Sequence, residues 1–352
     1  MQDRSDITTL KERSSTEDKD GHIRFCLEKD VESSKSTGFE RYDLINSSLP
    51  DMDYNDIDIS CRFMGKDISA PFIVLPLTGG TETATEINRN LAKAAQELNV
   101  VMSVGSQRLG LENPALEATY QVRDVAPDVP LLANLGAIYL NYGYGLKECE
   151  RAVQMIGADG LFLYLNPMQK VFQGTRNLNF KGLSGKIAHI CGNLSVPVIV
   201  REVGFGLSSD VALQMKKAGA SMLDISGAGG TSWVKVTRYL KEDSIKKFGS
   251  NFDDWGIPTV DSLIAVKEAV NDLPIIASGG IRNGIEIAKA LALGASYAGM
   301  SLPLLSPAME SSEIVKKTID NFIKEVKMAM FCCGVSNLRA LRKGECIRKK
   351  EL

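Results

Sequence analysis

"LPIIASGGIRNGIEIAKALALGASYAGMS", residues 273–301, sets an apolar run, a glycine turn, a stretch with helical spacing and a second apolar run in direct succession. Apolar runs without polar alternation are strands buried on both faces, and a helix between two of them is the unit that joins parallel strands. The same rhythm extends back along the chain. Apolar runs fall at 72–77, 100–106, 130–136, 161–166, 196–204, 221–227, 273–280 and 296–301, with helical periodicity at 84–98, 146–157, 208–219 and 283–294. In "SSDVALQMKKAG" (208–219), Ser208 or Ser209 supplies an N-cap and Gly219 a stop. Eight buried strands alternating with helices predict an α/β fold closed as a (β/α)8 TIM barrel. An open doubly wound sheet would require GxGxxG after the first strand, and "TGGTETA" (78–84) lacks it.

Residues 1–70 read as an N-terminal extension, an extended arm followed by short strands in "DIDISCRFMG" (56–65) that pack on the barrel. The barrel spans 71–335, and 336–352 is a basic C-terminal tail. A long polar insert at 234–258, after the sixth strand, is a candidate lid. The 352 residues are 44% hydrophobic with a net charge of -2, which argues against a nucleic-acid or membrane-surface partner. The opening "MQDRSDITTLKERSSTEDKDG" has no apolar core of the signal-peptide kind, and no run is long enough to span a bilayer, so a cytoplasmic protein is expected. Seven cysteines with no CxxC fit free thiols in a reducing compartment, and no metal-ligand spacing is seen.

A barrel of this kind builds its active site from the segments that follow the strands. Those segments are "TGG" (78–80), "GSQR" (105–108), "NLGA" (134–137), "NPMQK" (166–170), "REVGFG" (201–206), "GAGGTSW" (227–233), "SGGIRNG" (278–284) and "GM" (299–300). Glycine lets backbone N–H groups approach a ligand, and a helix N-terminus favours phosphate. "SGGIRNG" leads into a helix with Arg282 near its start, so a phosphorylated ligand is expected at strands seven and eight. Arg201, ending strand five, is a cation suited to the electron-rich edge of a flavin, or alternatively a partner for Glu202 or a neighbouring strand.

These segments, with "INRNLAKAAQEL" (87–98), "LNYGYG" (140–145) and "DWGIPT" (254–259), resemble the type 2 isopentenyl diphosphate isomerases over nearly the whole chain. The resemblance implies a homo-oligomeric barrel, tetramer or octamer, that binds FMN and uses the reduced flavin in acid–base chemistry with Mg2+ and a flavin reductant. By position it implies FMN contacts from Thr78, Gly79, Ser106, Asn134, Arg201, Ser226, Gly230, Thr231, Gly279, Gly280 and Arg282, with Gly299 and Met300 near the phosphate.

The chain departs from that pattern on the substrate side. "DKDGHI" (18–23) keeps Lys19 and His22 but has Asp18 where the family has a basic residue. Tyr164 stands in place of a histidine, Asn166 and Gln169 are kept, and the family's metal-binding glutamate is Lys170. "GTRN" (174–177) replaces an acidic segment, and Arg201 replaces a lysine. An ammonium cannot coordinate Mg2+, so a metal-independent site is expected, with Asp18 and Lys170 as a candidate ion pair. The candidate catalytic residues are Gln169, His22 and Tyr164; the candidate substrate residues are Lys19, Asn166, Lys170, Arg108 and Arg176. The expected function is FMN-dependent isomerisation or redox chemistry on a different small anionic substrate. The alternatives are a genuine isopentenyl diphosphate isomerase and a non-catalytic flavin-binding subunit.

Overall fold

The computed structural model describes residues 16–174, 177–240 and 249–351, without the side chains of 16–18. Eight parallel strands close a barrel: β1 (Phe72–Val74), β2 (Val101–Ser103), β3 (Leu131–Gly136), β4 (Gly160–Tyr164), β5 (Val198–Arg201), β6 (Met222–Asp224), β7 (Ile275–Ala277) and β8 (Tyr297–Met300). β8 pairs with β1, which leaves no sheet edge exposed. Alternate residues point inward, so Ile73, Val101, Leu132, Phe162, Ile199, Met222 and Ile276 fill the interior, and the intervening residues pack under the helices.

The bottom of the barrel is plugged by a hairpin, Cys61–Phe63 with Lys66–Ile68, whose Phe63 and Ile68 join the inner cluster. Its two-residue turn, Met64 and Gly65, has positive φ at both positions, the form that matches strand twist. Thr81 and Asn283 cap the Glu82–Leu98 and Gly284–Ala292 helices by accepting the N–H groups of Ala84 and Glu286. Ser208 caps Ser209–Lys217 as its sequence suggests.

Most observed strands are shorter than the apolar runs, and for β5 and β6 the reason lies in side chains at their C-terminal ends. After Arg201 the Glu202 carboxylate accepts the N–H groups of Val203, Gly204 and Phe205 at 2.6, 2.8 and 2.6 Å, which takes that backbone out of the ladder. After β6, Asp224 Oδ1 accepts the Ser226 N–H at 3.2 Å, and Ser226 turns the chain with φ +38.

The N-terminal arm is not wholly extended. Thr16–Glu28 is a helix that rests on a second helix, Trp233–Tyr239, through a stacked Phe25–Tyr239 pair and an edge contact between His22 and Trp233. Its charged composition hid a helical face on which Lys19, His22, Ile23 and Cys26 recur at a spacing of three or four. Tyr42–Leu44 of the N-terminal extension pairs antiparallel with Ile347–Lys349 of the basic tail. Residues 241–248 of the candidate lid lie outside the described residues. No described helix is long and apolar enough to cross a membrane.

Candidate active site

A cavity of about 480 Å³ opens at the C-terminal ends of the barrel strands, within the range of small-molecule and cofactor sites. Of the sequence-derived flavin residues, Thr78, Ser106, Asn134, Arg201, Ser226, Thr231, Gly279, Gly280, Arg282, Gly299 and Met300 line it. Gly79 and Gly230 do not. A Cβ on Gly79 would stand 2.0 Å from the Tyr120 ring, and one on Gly230 would stand 2.4 Å from Gly280 N, so both glycines serve close packing behind the wall. Lys19, His22, Arg108, Tyr164, Asn166, Gln169 and Lys170 also line the cavity. Arg176 and the side chain of Asp18 lie outside the described residues, and with them the candidate Asp18 to Lys170 pair.

On one side the cavity is made of backbone. Gly279 and Gly280 have φ of +95 and +73, and a Cβ on them would stand 2.1 Å from Gly227 O and 2.4 Å from Gly229 O. Two loops therefore press together with no room for side chains at these positions, beside the start of the Gly284–Ala292 helix. Arg282 is held by Glu32 at 2.7 and 2.9 Å, a partly exposed ion pair of small worth. Thr78 Oγ1 and Asn134 Oδ1 are buried without a hydrogen-bond partner among the described residues. Such atoms are costly unless a ligand or water completes them, and here both face one cavity.

The opposite side is made of side chains. Lys170 is 2% exposed, and its Nζ donates to Tyr139 Oη at 2.8 Å and lies 4.6 Å from the ring centroid. Arg108 forks onto both Glu112 oxygens at 2.9 Å. Asn166 Nδ2 donates to Gln169 Oε1 at 2.8 Å, leaving Asn166 Oδ1 buried without a partner among the described residues. Tyr164 Oη donates to Ser106 Oγ at 3.1 Å, and burial pushes its phenol pKa up, so the proton stays on oxygen.

Removal from water and then repulsion from Arg108 lower the Lys19 pKa to about 8. The same burial, with Lys19 nearby, lowers His22 to about 3, which keeps its imidazole neutral at ordinary pH. No aspartate or glutamate lines the cavity among the described residues, and no described cluster of three His, Cys, Asp or Glu is arranged to hold a metal.

Sequence reasoning passed over Tyr139, two residues beyond "NLGA", because it reads as a core aromatic; the strand-end rule extended by one turn would have reached it. It also passed over Asp224. Arg201 has Nε 3.0 Å from Asp224 Oδ2, on the neighbouring strand, while Glu202 is spent on its own loop.

Barrel, backbone cradle and orphaned polar atoms together define an enzyme that holds a phosphate-bearing cofactor at its strand ends. A family model described as FMN-dependent dehydrogenase matches residues 28–118 and 167–349. The chain belongs to this family of FMN-binding barrels, in the branch of the isopentenyl diphosphate isomerases. An isopentenyl-diphosphate delta-isomerase of Nostoc sp. is 44% identical over 337 residues, covering 95% of this chain and 96% of that one. One from Oceanobacillus iheyensis is 42% identical over 333 residues, covering 94% and 95%. Among solved structures, a mandelate oxidase variant superposes with a TM-score of 0.67 at 19% identity over 94% of this chain and 95% of that one. A lactate oxidase described as putative, from Pediococcus acidilactici, gives 0.66 at 16% over 95% and 91%. These two show the fold. The cofactor of this enzyme is FMN, and the cavity fits it: the glycine cradle admits a phosphate, and Thr78 and Asn134 offer unfilled polar atoms to a ring.

Proposed function

We propose that this enzyme uses FMN to shift a double bond or transfer a hydride on a small anionic substrate other than isopentenyl diphosphate, and that side-chain cations hold the anion without a divalent metal. The observation that carries this reading is the buried Lys170 ammonium, standing in a cavity wall that it shares with Lys19 and Arg108. A carboxylate at 170 would repel an anion and need a metal between them. An ammonium attracts it directly, by about 4 kcal/mol for unit charges 4 Å apart at an effective dielectric of 20. The Tyr139 hydroxyl offsets part of the cost of burying that charge.

Bound FMN supplies a ring that exchanges a proton or a hydride with a substrate carbon. Thr78, Ser106, Asn134, Ser226 and Thr231 would hold the ring, Gly279, Gly280, Arg282, Gly299 and Met300 the phosphate, and Arg201 would face the electron-rich edge. Asn166 and Gln169 orient each other at the substrate. Tyr164, protonated, is the candidate acid, and His22, held neutral, can exchange hydrogen bonds with the substrate. Gly79 and Gly230 support this wall from behind.

We further propose that the enzyme works in the cytoplasm as a tetramer or octamer and receives electrons from a separate reductant; its free thiols suit a reducing compartment. A second reading, a genuine isopentenyl diphosphate isomerase, is favoured by 44% identity over nearly the full length. Anaerobically reduced holoenzyme incubated with isopentenyl diphosphate in deuterated water, with and without Mg2+, separates the two by NMR. The proposal expects unchanged substrate in both samples. Dimethylallyl diphosphate formed at an enzymatic rate would establish the second reading.

A further inference from the structure

Arg201 and Asp224 end adjacent parallel strands and are paired in register, and Ser278 follows the next strand, where Ile276 is the partner of Asp224. Arg201 and Ser278 line the cavity, and Asp224 joins them from behind its wall. Asp224 is 0% exposed and does not line the cavity itself. Its Oδ1 accepts the Ser278 hydroxyl at 2.5 Å and the Ser226 N–H at 3.2 Å, and its Oδ2 lies 3.0 Å from Arg201 Nε, an ion-pair contact in which neither of these two atoms makes an aligned hydrogen bond among the described residues. Arg201 Cζ stands 5.3 Å from the Phe162 ring centroid, so the guanidinium rests on the barrel interior with one edge against the carboxylate.

An arginine can do this and still show charge to the cavity, because its donors are spread over a rigid fork. A lysine has one charged atom and would have to choose. The carboxylate has no reason to be ionised at this depth except its neighbours: burial pushes its pKa up, and Arg201 first, then the hydrogen bonds from Ser278 and Ser226, pull it back.

We propose that Asp224 is a positioning residue which, fixed by Ser278, orients the Arg201 guanidinium and damps its charge, and so sets the reduction potential of bound FMN. This rests on the reading of Arg201 as the cation beside the flavin. With Asp224→Asn the Arg201 charge is no longer balanced, the anionic reduced flavin is favoured, and the midpoint potential rises. Arg201→Gln removes the cation and lowers it. With the cation gone the buried Asp224 takes up a proton, so adding Asp224→Asn to Arg201→Gln changes nothing further. Ser278→Ala removes one support of the carboxylate and gives a smaller rise than Asp224→Asn.

The test is the midpoint potential of each FMN-loaded variant, read anaerobically against a reference dye, with flavin content measured on the same samples. Opposite shifts for the two single variants, and no added shift in the double variant, support the inference. If Arg201→Gln keeps its FMN and its potential, Arg201 is not the flavin's cation and the inference loses its basis. If Arg201→Gln shifts the potential while Asp224→Asn and Ser278→Ala do not, the Arg201 reading stands and the role of Asp224 is overturned. A full Asp224→Asn shift persisting in the Arg201→Gln background would show that Asp224 acts on the flavin directly, which also overturns it. Should Asp224→Asn fail to fold, Ser278→Ala carries the same test, because a positive shift that vanishes with Arg201→Gln supports the relay and no shift refutes it.

Discussion

The loops after β6 and β7 meet the cavity in part with backbone: at Gly227, Gly229, Gly279 and Gly280 they touch each other where side chains would stand. The wall formed after β3 and β4, with the N-terminal helix, meets it with side chains, among them Tyr139, Tyr164, Asn166, Lys170 and Lys19. The two surfaces answer differently to sequence change. A backbone cradle has no side chain to exchange, and any addition closes it. A side-chain wall can be altered one residue at a time while the barrel beneath it stays intact. That difference is why the departures expected from the family's pattern fall on the side-chain wall, where single residues can change without disturbing the barrel.

The cradle side is the place to break this comparison most severely. Gly279→Ala would put a methyl 2.1 Å from Gly227 O at φ +95, a backbone conformation that alone costs about 1–3 kcal/mol for a non-glycine residue. The expected outcome is protein purified without flavin and with a lower melting temperature, read by flavin-to-protein ratio and thermal unfolding; full flavin content would show that the cradle tolerates filling.

On the side-chain wall the expected effects leave FMN in place. Lys170→Met removes an ammonium worth about 2–4 kcal/mol to a nearby anion, roughly 30-fold or more in affinity. Titration of the holoenzyme with inorganic pyrophosphate, followed by flavin absorbance, should show that weakening at unchanged flavin content. An unaltered affinity would remove Lys170 from the anion site.

pH sharpens the comparison further. Lys19 has its pKa lowered to about 8, so pyrophosphate affinity should fall as pH rises through that value, and Lys19→Arg should flatten the decline because arginine stays charged. The stability sign runs the other way. Between about 8 and the ordinary 10.5 the folded state holds fewer protons at Lys19 than the unfolded state, so this residue's contribution to stability grows with pH across that window in anion-free protein. Thermal unfolding of the two proteins at matched pH values checks this.

The smallest effect is expected from Tyr139→Phe, which deletes the acceptor of the Lys170 bond. One hydrogen bond of about 0.5–1.5 kcal/mol corresponds to a few-fold loss of pyrophosphate affinity. A loss as large as that of Lys170→Met would mean that the hydroxyl itself touches the anion.

The barrel was legible because buried parallel strands leave unmixed apolar runs, and the cradle because "SGGIRNG" carries its glycines next to a helix start. The strand limits were not legible: nothing in "REVGFG" says that Glu202 will bind the next three N–H groups. The N-terminal helix was masked by a charged sequence whose cavity-facing residues, Lys19, His22, Ile23 and Cys26, are only half apolar. Tyr139 and Asp224 escaped notice for opposite reasons, one lying a turn beyond its strand end and the other inside an apolar run of the sequence, where a carboxylate reads as a break until its register with Arg201 is known.

The central claim is that the rebuilt wall binds its anion without a metal, and pyrophosphate titration of the FMN-loaded enzyme, in EDTA and then in Mg2+, tests it most directly. Saturable binding of equal or greater affinity in EDTA is the predicted result, whereas binding that needs Mg2+ would contradict the account.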